Sequence, residues 1–242
     1  MIRLAAAGDL HFGPDLSGTL RPAFEGISNH ADVLLLAGDL TRVGDPEEAR
    51  ALGKELRDLT VPVVAVLGNH DYHSDSQDQV RREVEDAGIQ VLEGETVVLD
   101  VGGVRLGVAG VKGFGGGFAG ASGSDFGEPE MKAFIRHTRE VATRLERALD
   151  SLEADVRVAL LHYAPTEQTL QGERLEIYPF LGSYLLGEAI DRAGAQLILH
   201  GHAHRGTEKG VTPGGTPVRN VALPLIHRPY NVYCLEDGAA VE

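Results

Sequence analysis

One cysteine, Cys234, is the whole thiol content of these 242 residues. That excludes an internal disulfide, and a lone thiol cannot build a zinc or iron–sulfur site by itself; Cys234 is expected as a small strand residue. Long apolar runs are missing too. No stretch of the sequence approaches the roughly 20 residues that span a bilayer, so no membrane association is expected. The start, Met1 to Asp9, reaches a carboxylate before any apolar stretch long enough to follow the basic head of a secretory signal, which makes the cytoplasm the expected location. Positive charge is scarce: 22 Lys and Arg stand against 36 Asp and Glu, a net charge of −14. Such a balance opposes binding to a long polyanionic duplex, which needs a basic footprint. What remains is 43% hydrophobic and 24% charged, the composition of an ordinary globular protein. With no convincing linker or repeat, residues 1–242 read as a single domain; oligomeric state has no signature.

The first half alternates strand, loop and helix. Short apolar runs at Ile2 to Ala7, Val33 to Ala37 and Val63 to Leu67 have the length of fully buried strands. Between them, Asp45-Pro46-Glu47-Glu48 supplies an N-cap, a proline at the first helical position and a glutamate at the third, ahead of Leu52, Leu56 and Leu59. A second helix runs on from Ser76 through Val80, Val84 and Ala87 and ends at Gly88. Gly102-Gly103 joins Thr96 to Val101 and Val104 to Val108 as a hairpin. From Gly110 to Gly127 the glycines follow no period, which predicts a mobile loop. A long helix through Phe134, Val141, Leu145, Leu149 and Leu152 comes next. The buried runs Val156 to Leu161 and Ala195 to Leu199 then bracket a helix carrying Leu185, Leu186, Ala189 and Ile190, and two strands fill Pro217 to Leu235.

Five buried runs end, within a few residues, at side chains able to bind metal: Asp9 and His11, Asp39, Asn69 and His70, His162, then His202 and His204. In open α/β sheets the carboxyl ends of strands form the ligand crevice, so loops scattered in sequence should converge. Each element alone has a bland reading as a turn or a strand-end histidine. Five of them in one structural position do not.

The series Asp9-x-His11, Gly38-Asp39, Gly68-Asn69-His70-Asp71, His162 and Gly201-His202-Ala203-His204 resembles the complete motif set, in order, of the calcineurin-like metallophosphoesterases. The resemblance runs from residue 9 to residue 204. It implies an α/β fold, a four-layer αββα sandwich of two mixed β-sheets flanked by helices. It also implies two divalent ions, with Asp9, His11, Asp39 and His204 holding one and Asp39, Asn69, His162 and His202 the other. A bridging carboxylate is chemically apt at Asp39, because its two oxygens can touch two ions whereas an imidazole offers one lone pair. Such ions lie roughly 3.5–4 Å apart and activate a bridging hydroxide as the nucleophile on phosphorus. His70 is implied as an acid for the leaving oxygen, with Asp71 either orienting it or serving as a turn residue. The nitrogen and oxygen donors suit Mn²⁺, Fe, Zn²⁺, Co²⁺ or Ni²⁺, and Mn²⁺ is the expected activator.

Other residues draw the eye. Lys112 sits in the glycine-rich segment without the spacing of a phosphate-binding P-loop, and the segment is read as a flexible lid or entrance loop. His200 fits a structural strand-end histidine or support for the site. His73, His227 and Arg205 lie near motif residues, His30 and His137 fall in helical patterns, and Pro165 to Pro179, with Glu173, Arg174 and Tyr178, is a candidate substrate wall. The expected function is hydrolysis of a small phosphate ester, cyclic or other nucleotides included, by a phosphodiesterase or phosphatase. Asp39 is followed by Leu40-Thr41-Arg42-Val43-Gly44 rather than the Asp-Arg-Gly signature of the protein phosphatases in this superfamily. A DNA or RNA nuclease is the alternative that the acidic charge disfavours, and an inactive scaffold on the same fold is the alternative that the full motif set disfavours.

Overall fold

The computed structural model describes residues 1–236 and the backbone of 239–241. Its first strands are β1 (Ile2–Ala7), β2 (Val33–Ala37), β3 (Val63–Val66) and β4 (Gln90–Val91), followed by β5 (Thr96–Val101) and β6 (Val104–Val111). A small hairpin, β7 (Gly117–Phe118) and β8 (Ala121–Ser122), leads to β9 (Val156–Leu161), β10 (Leu197–His200), β11 (Lys209–Val211) and β12 (Pro217–Asn220), and the described chain ends in β13 (Asn231–Glu236) and β14 (Ala239–Val241). Two six-stranded sheets result, ordered β14-β13-β1-β2-β3-β4 and β11-β12-β10-β9-β6-β5. β1 to β4 are parallel in the first, and β6, β9, β10 and β12 in the second.

Alternation along the strands builds the layers, because successive side chains leave opposite faces of a sheet. Leu4, Ala6, Val33, Leu35, Val64 and Val66 meet Leu106, Val108, Val158, Leu160, Leu197 and Leu199 in a core between the sheets. The other face of the first sheet, with Ala5, Ala7, Leu34, Leu36 and Ala65, packs on Ala49, Leu52, Val80 and Val84 of the helices Pro46–Leu56 and Gln77–Glu85. The other face of the second, with Ala109, Val111, Ala159, Leu161 and Ile198, packs on Val141, Leu145, Leu186 and Ile190 of the helices Pro129–Asp150 and Tyr184–Ala193. The expected αββα sandwich of mixed sheets is the one observed. No helix among the described residues is long and apolar enough to cross a membrane.

Local signals hold closely. Asp45 Oδ1 accepts from Glu47 N at 2.8 Å, so Asp45→Ala is expected to lower stability by about 1 kcal/mol, read as a lower midpoint of urea unfolding with an unchanged slope. Glu48 departs from a capping box: its Oε2 accepts from Arg42 N at 3.0 Å and Val43 N at 2.9 Å, bracing the loop that follows Asp39. The mobile loop expected from Gly110 to Gly127 needs correction. β6 continues to Val111 because Ala109, Gly110 and Val111 pair with Ala159, Leu160 and Leu161, and most of the chain onward to Phe118 is buried. Parallel pairing between segments so far apart leaves no local trace in a sequence.

Candidate metal centre

All the strand ends that carry motif residues open on one side of the two sheets. The loop after β1 extends the strand ladder of its neighbour: Asp9 N donates to Gly38 O at 2.9 Å and His11 N to Asp39 O at 3.0 Å. Asp9 and His11 are thereby laid beside Asp39. The second sheet is stitched on by His162, whose Nδ1 bonds the carbonyl of Ala37 at 2.9 Å, and by His202 N, which donates to Asp9 Oδ2 at 2.9 Å. Asp9, His11, Asp39 and His202 all have left-handed backbones, with φ of 57°, 42°, 49° and 71°. Such conformations are unfavourable for residues other than glycine and concentrate at functional sites.

Two motif glycines are explained by close approach. A Cβ on Gly68 would lie 2.1 Å from Asp39 Oδ1, and one on Gly201 would lie 2.3 Å from Asp9 Oδ2. Either methyl would occupy the space of a candidate ligand carboxylate.

Three overlapping groups have ligand atoms within 4.8 Å of one another: Asp9, His11 and His204; His11, Asp39 and His70; Asp39, His162 and His202. Asp39 is almost wholly buried, at 1% exposure, and its Oδ1 accepts from His70 N at 2.8 Å. His11 Nε2 and His70 Nε2 both approach its Oδ2, at 3.8 and 3.9 Å. Asn69, the remaining predicted ligand, places Oδ1 2.9 Å from His162 Nε2.

The donor chemistry fits cations. The Nδ1 proton of His162 is committed to Ala37, and Nε2 meets Asn69 Oδ1 at 2.9 Å and Asp39 Oδ1 at 3.4 Å. Two oxygen acceptors brought to one ring nitrogen in a buried site are costly unless a positive charge joins them. His202 donates from Nε2 to Phe180 O at 3.2 Å, which leaves Nδ1 as its lone pair. Burial pushes the His202 ring down to about 3, and the neighbouring His162 adds to the effect, so it stays neutral and able to ligate. Burial also lowers His11. It pushes Asp9 upward, but the hydrogen bond from His204 and the nearby histidines outweigh it and keep the carboxyl below its usual range. His204 is raised by the same bond, at 2.9 Å.

His70 stands apart from the buried set. Its side chain is 44% exposed against 2% for Asp39, and its Nδ1 bonds the carbonyl of Arg42 at 2.7 Å, so Nε2 faces the cluster from the solvent side. The orienting group expected at Asp71 is therefore the Arg42 carbonyl. Asp71 instead turns into the protein, accepting from Gly68 N at 2.7 Å, Leu40 N at 3.1 Å, Thr41 N at 2.8 Å and Thr41 Oγ1 at 2.5 Å. Burial, then the charge of Asp39, pushes its carboxyl up to about 6. It clamps the loop after β2 to the loop after β3. Removing such an acceptor leaves donors unpaired at about 1–3 kcal/mol each. Asp71→Ala is therefore expected to destabilise the fold by about 3 kcal/mol or more and to weaken metal binding about 10–100-fold. Urea unfolding and metal titration read the two effects; a variant of wild-type stability with only kcat reduced would restore the orienting role.

The remaining expectations separate cleanly. His200 is structural: buried and held down to about 4 by that burial, it bonds Gly201 O at 2.7 Å and Thr169 Oγ1 at 2.8 Å, fixing the turn before His202. Glu173 accepts from Arg205 N at 2.7 Å and Tyr178 donates to Leu170 O at 2.9 Å, so both brace the loop. His30, His73 and His227 are exposed, and His137 packs edge-on against Phe114. His202 is held by two residues the sequence did not single out. Tyr163 packs on His202 with ring centres 4.4 Å apart, and Phe180, 61% exposed, holds His202 through its carbonyl. Tyr163 directly follows the predicted ligand His162, which was the available signal, and Phe180 directly follows the Pro165 to Pro179 segment.

The chain matches the family model described as calcineurin-like phosphoesterase over residues 2–206. Among solved structures, it is similar to the phosphopantetheinyl hydrolase of Mycobacterium tuberculosis at 17% identity and a TM-score of 0.67, covering 90% of this chain and 88% of that one. It is similar to a hypothetical protein from Thermus thermophilus at 18% identity and a TM-score of 0.59, covering 100% and 96%. A putative 5'-nucleotidase from Staphylococcus aureus is similar at 16% identity and a TM-score of 0.59, over 99% of this chain and 52% of that one. At these identities the likeness is one of fold. No curated protein matches the sequence.

Proposed function

Because the chain belongs to the calcineurin-like phosphoesterases, metal-dependent phosphoester hydrolases, we propose that it hydrolyses small phosphate esters, cyclic or other nucleotides among them, within a single domain. The proposal gives one ion to Asp9, His11, Asp39 and His204 and a second to Asp39, Asn69, His162 and His202, with Mn²⁺ as the activating metal. The observation that carries it is the meeting of His162 Nε2, Asn69 Oδ1 and Asp39 Oδ1, continuous through Asp39 and His11 with the group around Asp9. When bound, two such ions withdraw charge from the phosphoryl oxygens and acidify a water between them.

The chain's own residues do the rest. Asp39 offers one oxygen to each side of the cluster. Hydrogen bonds from His162 to Ala37 O and from His202 to Phe180 O fix which ring nitrogen faces inward, the outer bonding that tunes such ligands. His70, anchored through Nδ1, presents Nε2 where a leaving group would depart. Since Nδ1 already donates to Arg42 O, Nε2 can give a proton only from the imidazolium form: as a water oxygen bonds to phosphorus and releases a proton to solvent, the ester P–O bond breaks and the Nε2 proton passes to the leaving oxygen. The Tyr163 ring packs on His202 at one side of the cluster.

A panel of phosphomonoesters, linear diesters and cyclic nucleotides assayed with Mn²⁺ tests this reading. Turnover is expected to vanish on removing metal with a chelator and to return on adding Mn²⁺. Hydrolysis that persists through exhaustive chelation would sink it.

A further inference from the structure

β6 lies between β5 and β9, and its end delivers Lys112 beside the cluster. His162 N and Tyr163 N both donate to Lys112 O at 3.0 Å, so the residue is tied to the strand end that carries a proposed ligand. Its side chain is buried, at 8% exposure. The ammonium bonds one carbonyl, that of Gly113 at 3.3 Å, and the rings of Tyr72, Phe114 and Tyr163 surround it at 4.9, 5.1 and 5.2 Å. Among the described residues it forms no ion pair with a carboxylate. Two acids act on it through space, Glu93 and then Asp39; Glu93 Oε1 also pairs with Arg144 at 3.6 Å and its Oε2 accepts from Lys112 N at 3.2 Å.

Buried ammonium groups are normally paired, since desolvating an isolated charge is expensive. Three aromatic faces offset part of that penalty, and Glu93 and Asp39 act on the charge without closing a direct ion pair with it. Burial accordingly pulls the Lys112 amine below its ordinary value, while Glu93 pulls it back. A cavity of about 310 Å³ opens there, lined by Asn69, Tyr72, Lys112, Tyr163 and the ion-paired Glu93 and Arg144 among others. Asn69 is also a proposed metal ligand, so a group entering this cavity from a phosphorus at the cluster passes directly beside that centre.

We propose that this cavity is a second anion site for the substrate, in which Lys112 receives a phosphate or carboxylate carried on the organic part of the ester and the surrounding rings hold the flat or apolar portion between. The proposal rests on the phosphoesterase reading above and narrows its substrate class to esters bearing a second anionic group away from the scissile phosphorus.

Paired substrates test it. A nucleoside 3',5'-bisphosphate against the nucleoside 5'-monophosphate reads a second phosphate, and phosphoglycolate against ethyl phosphate reads a carboxylate. Wild-type protein with Mn²⁺ is expected to favour the doubly anionic member of at least one pair, chiefly through KM, and the favoured pair identifies which anion the site takes. Lys112→Met is expected to reduce that preference about ten- to hundredfold, the worth of a hydrogen bond to a charged group, and Lys112→Arg to retain most of it. A residue that merely filled space would change both members of a pair alike. The wild-type preference needs no variant, so it decides the matter even if Lys112→Met does not fold. Hydrolysis of singly anionic esters with no preference in either pair, or a preference that survives in folded Lys112→Met, would overturn the second site and leave the phosphoesterase reading standing. Failure to hydrolyse any ester with any divalent metal would remove both.

Discussion

Asp39→Ala is expected to strip the protein of both ions and to lower phosphoester hydrolysis about a thousandfold or more. The size follows from what metal ions contribute to charge stabilisation in the transition state, several kcal/mol, at about 1.4 kcal/mol for each tenfold in rate. Asp39 is proposed to serve both ions, so no other single ligand should cost as much. Geometry strengthens the expectation. Asp39 lies within reach of His11 Nε2, His70 Nε2 and His162 Nε2, and its loss leaves the histidines of both proposed sites without their shared anion. Asp39→Asn separates charge from shape, because the amide preserves the volume but carries no negative charge; it should bind metal far more weakly than wild type while unfolding near the wild-type midpoint. Metal analysis of desalted protein alongside an ester assay checks both variants. Wild-type metal content and turnover in Asp39→Ala would exclude the bridge.

His70→Ala is expected to behave in the opposite way, retaining both ions while turnover falls about 10²–10⁴-fold, the usual contribution of a positioned general acid. Its exposure and its anchor on the Arg42 carbonyl place it at the mouth of the cluster, where a proton can be handed to a departing group without loosening the ligands beneath. The deficit should shrink for esters whose leaving group is already a stable anion, such as p-nitrophenolate, because those need no proton. An equal loss on p-nitrophenyl and alkyl esters would remove the acid role. Loss of metal would make His70 a ligand, a role its place in the group with His11 and Asp39 permits geometrically.

The sandwich was legible because its strands are short continuous apolar runs and its helices carry the 3.6-residue period. Ile2–Ala7, Val33–Ala37 and Val156–Leu161 form strands with the bounds read from sequence. The convergence of Asp9, Asp39, Asn69, His162 and His202 was legible for a topological reason, since each follows a strand whose parallel neighbours deliver their ends to the same side. Direction was the harder quantity. Asp71 follows His70, yet within the 3-10 turn His70–Tyr72 successive side chains diverge by roughly 120°; one reaches the cluster and the other is buried under the loops. A phosphate-loop spacing is a local test, and Lys112 fails it. Its cavity is assembled from Tyr72, His137 and Tyr163, far apart along the chain, and no window of sequence displays that. Glycine misled in the segment after Gly110, where the absence of side chains was read as freedom and instead permits close packing.

The most direct test counts metal against activity. Protein freed of metal should be titrated with Mn²⁺ while bound ions per chain and hydrolysis of a phosphate ester are followed together. The account predicts saturation at two ions per chain, with turnover rising as the second site fills and neither occurring in Asp39→Ala. Saturation at one ion with full activity, or turnover independent of bound metal, would contradict it.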